Sequence, residues 1–232
     1  LTVQDDLTLT SSANILLDTA DLKNTSRGDL LVDAAGNITM TVGSINEGAT
    51  NDTTGFVHLL GGGIVSLGNS IVTVNSVDEE NPLRIEAGPL LDLGNTQFEI
   101  SNNASNGAKG LILTATGDID LGSSDLTFRD NLGLGTNLDR ITAGGRIFSD
   151  AADGNAGTYV NNYDLTSDDG EFRITAGTEI FLPDINLTVT EIDGGPGLDV
   201  TLSAQGGNLN LSESRLTVQD DLTLTSSANI LL

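Results

Sequence analysis

Short runs of alternating apolar and polar residues recur along the whole chain, each broken by a corner of small residues. The clearest run is 111–121 (LILTATGDIDL), in which two apolar positions lead to Ala115, a glycine follows, and two more apolar positions complete the run. Alternation with period two is typical of a β-strand that buries one face. The small residue that anchors each run recurs every 22 to 33 residues, at Ser11, Ala34, Gly61, Ala87, Ala115, Ala143, Ala176, Ala204 and Ser226.

A longer repeat contains the short one. The first 17 residues (LTVQDDLTLTSSANILL) return unchanged at 216–232, which is an offset of 215 residues. We interpret 1–232 as a single continuous segment, one 215-residue repeat plus the first 17 residues of the next. The nine anchor residues divide the repeat into eight coils.

Coils of this length, built from period-two strands and glycine corners, predict an all-β parallel β-helix, or β-solenoid. Each coil has apolar rows that only neighbouring coils can bury, and stacked strands satisfy one another's backbone hydrogen bonds. The general rule for parallel crossovers favours a right-handed coil. One inward ladder is predicted at Leu9, Val32, Leu59, Ile85, Leu113, Ile141, Ile174 and Leu202, and a second at Ile15, Ile38, Val65, Leu91, Ile119, Ile147 and Ile180.

The coil around Ala143 fits the pattern least well. Its inward ends are Asp139 and Ser149, and the longest predicted loop, 150–171, follows it. Third-side strands are predicted in other coils at 71–74, 97–100, 126–128 and 186–189. No helix is predicted.

Segments such as 28–41 (GDLLVDAAGNITMT) and 117–122 (GDIDLG) resemble the β-strand-repeat giant surface proteins of bacteria, the filamentous haemagglutinin-like adhesins among them. The resemblance covers the whole chain. It implies a right-handed parallel β-helix that forms a long exported stalk on the bacterial cell surface.

The chain is strongly acidic, with 33 acidic and 9 basic residues and a net charge of −24. Without the two aspartates of the second copy, one repeat carries a net charge of −22. Eight coils at about 4.8 Å each give the repeat a length of about 38 Å. This density is close to that of duplex DNA. We therefore expect cations as partners and exclude nucleic acid and anionic membrane surfaces. The absence of cysteine excludes disulfides and thiol chemistry, and no apolar run approaches the roughly 20 residues of a membrane span.

Calcium is the only metal that the sequence suggests. Residues 194–202 (GGPGLDVTL) approach the calcium-binding nonapeptide but have Thr201 at its large apolar position, and a glycine-rich corner is the alternative. Acidic turns offer further oxygen ligands. The candidates are Asp78, Glu79, Glu80, Asp168, Asp169, Asp193 and Asp199. We expect no required cofactor, and calcium at most as a bridge between fibres.

Two outward rows are candidate interaction surfaces. Arg84, Arg140 and Arg173 lie three positions before their anchors. They either balance carboxylates on the same strand, such as Glu86, or dock against the acidic face of another fibre. Phe148 and Phe181 come from consecutive coils, and their rings are predicted to stack on the outer surface, unless the loop 150–171 covers them. The only histidine, His58, is also predicted to point outward.

Two classes of function remain open. The first is a structural fibre or adhesin stalk whose partners are copies of itself, in tandem and laterally, with polysaccharide as a further ligand. The second is a carbohydrate-active β-helix. A lyase would need a basic cluster, and the chain has only two lysines, Lys23 and Lys109. A hydrolase would need a carboxylate pair. Carboxylates are so abundant in this chain that their presence neither favours nor excludes a hydrolase. We expect a non-enzymatic extracellular fibre.

Overall fold

In the computed structural model, the described residues form only β-strands and turns. These residues are 1–25, 28–47, 55–76, 83–102, 111–131, 138–149, 158–164, 171–191 and 199–232. They contain 27 β-strands and no helix. The strands form three nine-stranded parallel sheets, which confirms the predicted all-β parallel β-solenoid.

Each coil contributes one strand to each sheet. The first sheet holds the strands that end at the anchor residues: β2 (Leu7–Ser11), β5 (Leu30–Ala34), β8 (Val57–Gly61), β11 (Leu83–Ala87), β14 (Leu111–Ala115), β17 (Leu138–Ala143), β20 (Glu171–Ala176), β23 (Asp199–Ala204) and β26 (Leu222–Ser226). The second sheet holds the short strands after the glycine corner: β3 (Ile15–Leu16), β6 (Ile38–Thr39), β9 (Val65–Ser66), β12 (Leu90–Asp92), β15 (Asp118–Asp120), β18 (Ile147–Phe148), β21 (Ile180–Phe181), β24 (Leu209–Asn210) and β27 (Ile230–Leu231). The third sheet holds β1 (Thr2–Val3), β4 (Asp21–Asn24), β7 (Val42–Glu47), β10 (Asn69–Ser76), β13 (Gln97–Asn102), β16 (Asp125–Asn131), β19 (Thr158–Asp164), β22 (Asn186–Glu191) and β25 (Arg215–Val218).

The predicted register is confirmed along the first sheet. Seven of the eight successive pairs of anchor residues are register partners, from Ser11 with Ala34 to Ala204 with Ser226, and between β8 and β11 the same register is set by Leu60 with Glu86. The sheet therefore advances eight strands from β2 to β26 over the 215-residue period. The right-handed sense and the continuation into further repeats stay predictions.

The core consists of the predicted ladders. Members of both ladders from the second coil onward are fully or almost fully buried, whereas Leu9 and Ile15 of the first coil are partly buried. Thr114 and Asp120, which alternate with ladder residues, are only half-buried. Because a slip of one residue would exchange the two faces of every strand, this burial pattern fixes the register.

One sequence prediction is wrong. The loop predicted over 150–171 contains a third-sheet strand, β19, which pairs in parallel with β16 on one side and β22 on the other. Its sequence, TYVNNYD, carries two adjacent asparagines and little apolar alternation. Backbone pairing with two neighbouring strands does not depend on that alternation, so the sequence pattern missed the strand.

Side chains at the corner between the first and second sheets join successive coils. Asn37 N donates to Asn14 Oδ1 at 2.9 Å, Ile64 N donates to Asn37 Oδ1 at 2.9 Å, and Arg146 N donates to Asp118 Oδ1 at 2.7 Å. An asparagine or aspartate at this corner therefore satisfies a backbone donor of the following coil.

The corner between the second and third sheets uses left-handed backbone conformations. Gly68, Gly94 and Gly122, in three successive coils, have φ values of 57°, 57° and 53°. A backbone hydrogen bond across three residues closes the turns at Gly94 and Gly122, from Thr96 N to Leu93 O and from Ser124 N to Leu121 O, each at 3.1 Å. Glycine adopts this conformation without the steric cost that a Cβ brings.

Candidate interaction surfaces

The two predicted outward phenylalanines lie together. Phe148 and Phe181 are register partners on β18 and β21, as the alignment of the irregular coil requires. With Arg146, Ser149 and Glu179 they line a surface cavity of about 570 Å³. Phe181 is 39% exposed and Phe148 is half-buried. The described part of this surface thus presents phenylalanine side chains from two successive coils, while the predicted stacking of their rings stays a prediction.

Arg146 is fixed over one of these rings. Its guanidinium carbon lies 4.5 Å from the ring centroid of Phe148, and its Nη2 lies 3.2 Å from Asp118 Oδ2. The first contact is a cation–π interaction, and the second holds the arginine from the preceding coil. The cavity therefore combines apolar ring surface with a positioned cation and, at Glu179, an anion.

Sequence reasoning found the two phenylalanines but missed Arg146 and Glu179. The signal was available: each polar residue precedes its phenylalanine by two positions, so that both members of a pair lie on the same side of an extended chain. Whether the loop 150–171 covers the rings stays a prediction, because most of that loop lies outside the described residues.

The arginine row is confirmed by the register, in which Arg84 pairs with Ile112, Ile112 with Arg140, and Arg140 with Arg173. Arg84 Nε donates to Glu86 Oε1 at 2.7 Å. Arg173 donates to both carboxylate oxygens of Glu171, at 3.1 and 2.6 Å. Two of the three arginines therefore balance carboxylates on their own strands, as one of the two interpretations expected. Exposed pairs of this kind contribute little stability, and lateral docking of the row stays a prediction.

Two residues of this outward row are not simply exposed side chains in solvent. Ile112 is only 7% exposed, although it occupies the same row as Arg84 and Arg140. Arginine stems commonly cover neighbouring apolar surface. His58 lies in the predicted row beside Arg84, and its ring stacks on that of Phe56 at 3.8 Å between centroids.

Of the calcium candidates, only Asp199 lies within the described residues; Asp78, Glu79, Glu80, Asp168, Asp169 and Asp193 lie outside them. The described residues contain no group of three or more His, Cys, Asp or Glu side chains that could hold a metal ion. The pKa of Asp199 is raised by partial loss of solvent and then by the negative charges of Asp220, Asp221 and Glu171. The ionised form of this carboxylate is therefore less favourable in the folded protein than in the unfolded chain.

We expect Asp199→Asn to raise the melting temperature at pH 7. An acid whose pKa is raised on folding binds more protons in the folded state, so its contribution to stability falls as pH rises from the unfolded value of 3.8 through the folded value. The asparagine variant loses this dependence, and the difference between the two proteins should shrink as pH falls through that window. Thermal melts followed by circular dichroism between pH 3.5 and 7 measure it. A lower melting temperature for the variant at pH 7 would show that the carboxylate stabilises the fold.

No protein-family model matches the sequence, and comparison with curated proteins and with solved structures finds no match either. Among the residues that the structure describes, no helix has the length and hydropathy needed to cross a membrane.

Proposed function

We propose that the chain is a structural repeat of a long extracellular bacterial fibre or adhesin stalk and has no enzymatic activity of its own. The observation that supports this most is the identity of the first and last coils within three parallel sheets. Residues 1–17 and 216–232 have the same sequence and provide the first and last strands of every sheet. Because the same sequence recurs at the same position in all three sheets, further repeats can be added to the solenoid without changing its structure.

The charge supports a fibre that is surrounded by solvent. A net charge of −24 on 232 residues repels nucleic acid and other copies at low salt. We expect the core to need neither a metal nor a disulfide, since its apolar ladders run from coil to coil. These properties suit a stalk that displays another domain at a distance from the cell surface.

The length of the rod tests the proposal. A chain extended by one further 215-residue unit should be longer than the present chain by about 38 Å, because eight more coils are added at about 4.8 Å each. Its cross-section should stay the same. Small-angle X-ray scattering measures both. A compact two-repeat particle whose length does not increase would contradict the fibre.

The cavity at Phe148 and Phe181 favours polysaccharide binding as a second candidate function. Apolar ring surface with a positioned Arg146 and Glu179 at its rim suits a sugar, which presents both C–H faces and hydroxyl groups. Incubation with a panel of polysaccharides distinguishes a carbohydrate-active enzyme from a stalk that only binds polysaccharide. Release of reducing ends would show an enzyme, and binding that is lost in Phe181→Ala without turnover would show an adhesive stalk.

We expect calcium to affect association between fibres and not the folding of the coil. Acidic side chains in register on two fibres could hold weak calcium bridges that act together. Addition of a chelator should therefore lower light scattering and leave the β-sheet circular dichroism unchanged. A loss of the β-sheet signal would make calcium structural and would direct attention to 194–202. Scattering that does not respond to calcium would exclude bridging.

A further inference from the structure

The cavity at Phe148 and Phe181 presents the same pair of positions on two successive coils with different charges. In the coil of β18, the guanidinium carbon of Arg146 lies 4.5 Å from the ring centroid of Phe148. In the coil of β21, Glu179 stands at the position of Arg146, and Phe181 is the register partner of Phe148. Within the described part of the chain, no cation lies over the ring of Phe181.

Arg146 is held on the side of the preceding coil. Its Nη2 and Nε lie 3.2 and 3.4 Å from Asp118 Oδ2, and its backbone N donates to Asp118 Oδ1 at 2.7 Å. Glu179, on the following coil, also lines the cavity and is partly exposed. Its carboxylate makes no ion pair or hydrogen bond with the residues that the structure describes. The cavity therefore has one charge that is paired inside the protein and one that is not.

The contacts of Arg146 show which group suits the open position. Its guanidinium contacts an aromatic ring and the carboxylate of Asp118 at once. The face of an aromatic ring carries partial negative charge, so the carboxylate of Glu179 gains nothing by lying over Phe181. A cation is attracted by both groups, to the ring face and to the carboxylate. Glu179 and Phe181 thus offer a ligand the two contacts that Arg146 already has.

The charges around the cavity favour the same kind of ligand. Asp120 is the register partner of Phe148, and its Oδ1 accepts from Gly122 N at 2.9 Å, which fixes the carboxylate beside the ring. Asp118, Asp120 and Glu179 outnumber the single cation Arg146, and the whole chain has a net charge of −24. Both the local and the overall charge attract cations and repel anions.

The size and surroundings of the cavity suit a sugar ring. Its volume of about 570 Å³ is typical of a site for a small molecule. On the next coil, Asn210 is the register partner of Phe181, and Asn208 precedes it by two positions. Both amides use Oδ1 within the chain, and neither Nδ2 makes a hydrogen bond in the described structure. Ring surface for C–H groups and amide donors for hydroxyl groups therefore follow one another along the rod.

We propose that this cavity binds a polysaccharide whose sugar rings carry free amino groups, with one ammonium group between the carboxylate of Glu179 and the ring of Phe181. The inference rests on the polysaccharide binding given above as the second candidate function, and it specifies the class of polysaccharide. A neutral sugar leaves the charge of Glu179 without a partner, and an acidic sugar is repelled by it.

A lysine of a basic peptide is the alternative source of an ammonium group. Its flexible side chain loses more conformational entropy when it is fixed than a sugar ring that carries its amino group directly. It also leaves the apolar surface of Phe148 and the amides of Asn208 and Asn210 without a contact. The combination of ring surface, amides and carboxylate therefore favours the amino sugar.

Two oligosaccharides that differ only at the nitrogen test the proposal. One is a glucosamine oligomer, and the other is the same oligomer with every amino group acetylated. At mildly acidic pH, where the free amino groups are protonated, isothermal titration calorimetry should show about tenfold tighter binding of the glucosamine oligomer, the effect of one hydrogen-bonded charge pair. Added salt should reduce the difference.

Variants assign the binding to the cavity. Glu179→Gln should weaken binding of the glucosamine oligomer about tenfold, because the charge is lost while the shape is retained. Phe181→Ala should weaken it about threefold or more, and Phe181→Trp should retain it, since a larger ring keeps the cation–π contact. The matched control is Glu99→Gln, the same change at an exposed position on β13 of the third sheet, which should alter the affinity by less than about twofold.

Four results would overturn the proposal. An equal loss in Glu99→Gln and Glu179→Gln would mean that the charge of the whole rod attracts the oligomer. Equal binding of both oligomers would mean that the amino group is not recognised, although polysaccharide binding would stand. Tighter, Phe181-dependent binding of an oligolysine of equal charge would identify a basic peptide as the occupant. Binding of none of these probes would remove polysaccharide binding as well, whereas the proposed fibre is tested independently by the length of the rod.

Discussion

Replacing Leu113 by alanine is expected to lower the free energy of unfolding by about 2–5 kcal/mol, the range for a buried leucine that leaves a cavity. Leu113 has no exposed surface and is the register partner of Ile85 and Ile141 in the first ladder. The cavity would weaken the contacts with both neighbouring coils. In a solenoid, such contacts between neighbours provide most of the stability. Urea denaturation followed by circular dichroism measures the loss.

The neighbouring residue provides the control. Thr114 lies on the same strand with its side chain on the outward face and is half-buried. Thr114→Ala should cost no more than about 1 kcal/mol, since only strand propensity and outer contacts change. Equal losses for the two variants would mean that the face assigned to the core is wrong.

Gly122→Ala is expected to destabilise the protein by about 2–4 kcal/mol through strain and not through a cavity. Gly122 has a φ of 53°, a conformation that costs about 1–2 kcal/mol with a side chain. An added Cβ would also lie 1.9 Å from the carbonyl oxygen of Gly94 and 3.0 Å from its Cα. Because these atoms belong to the backbone of the preceding coil, the two coils would have to move apart, as in an overpacked core.

Ser123→Ala is the matched control for this turn. Ser123 follows Gly122 in the same turn, and its backbone N donates to Gly94 O at 2.9 Å, a bond that the substitution retains. We expect a change within about 0.5 kcal/mol. Thermal melts of the two variants compare the effects. A Gly122→Ala variant as stable as Ser123→Ala would show that the coils are not in close contact at this corner.

The aromatic surface shows how far the sequence could predict a site. The shared offset of Phe148 and Phe181 from their anchors predicted that they would be neighbours, and the register confirms it. The cation–π contact of Arg146 with Phe148 and its ion pair with Asp118 were not predicted. Both contacts depend on side-chain conformations and on the packing of coils that lie 28 residues apart in the sequence. The alternation of apolar and polar residues contains no information about either.

The alternation and the spacing of small residues determined the coil, the register of the first and second sheets and both inward ladders. A period of two leaves only one way to bury an apolar row, and a fixed repeat stacks that row on itself. The exact return of residues 1–17 determined the 215-residue unit. These features are local or periodic, so the order of the residues is sufficient to specify them.

Only the tertiary structure decided the features that depend on contacts between coils. The strand β19 forms because its backbone pairs on both sides, despite its polar sequence. Asn24 and Glu47 are fully buried in the third sheet, and Asn24 Nδ2 donates to Asp5 O of the preceding coil at 3.3 Å as well as to Gly28 O at 2.8 Å. Left-handed turns occur at Thr19, Asp184 and Glu213 as well as at glycine. For β19, for Asn24 and for Asp184, whose backbone N donates to Ser212 O at 2.9 Å, a neighbouring coil supplies the hydrogen bond. These outcomes therefore depend on residues that are distant in the sequence.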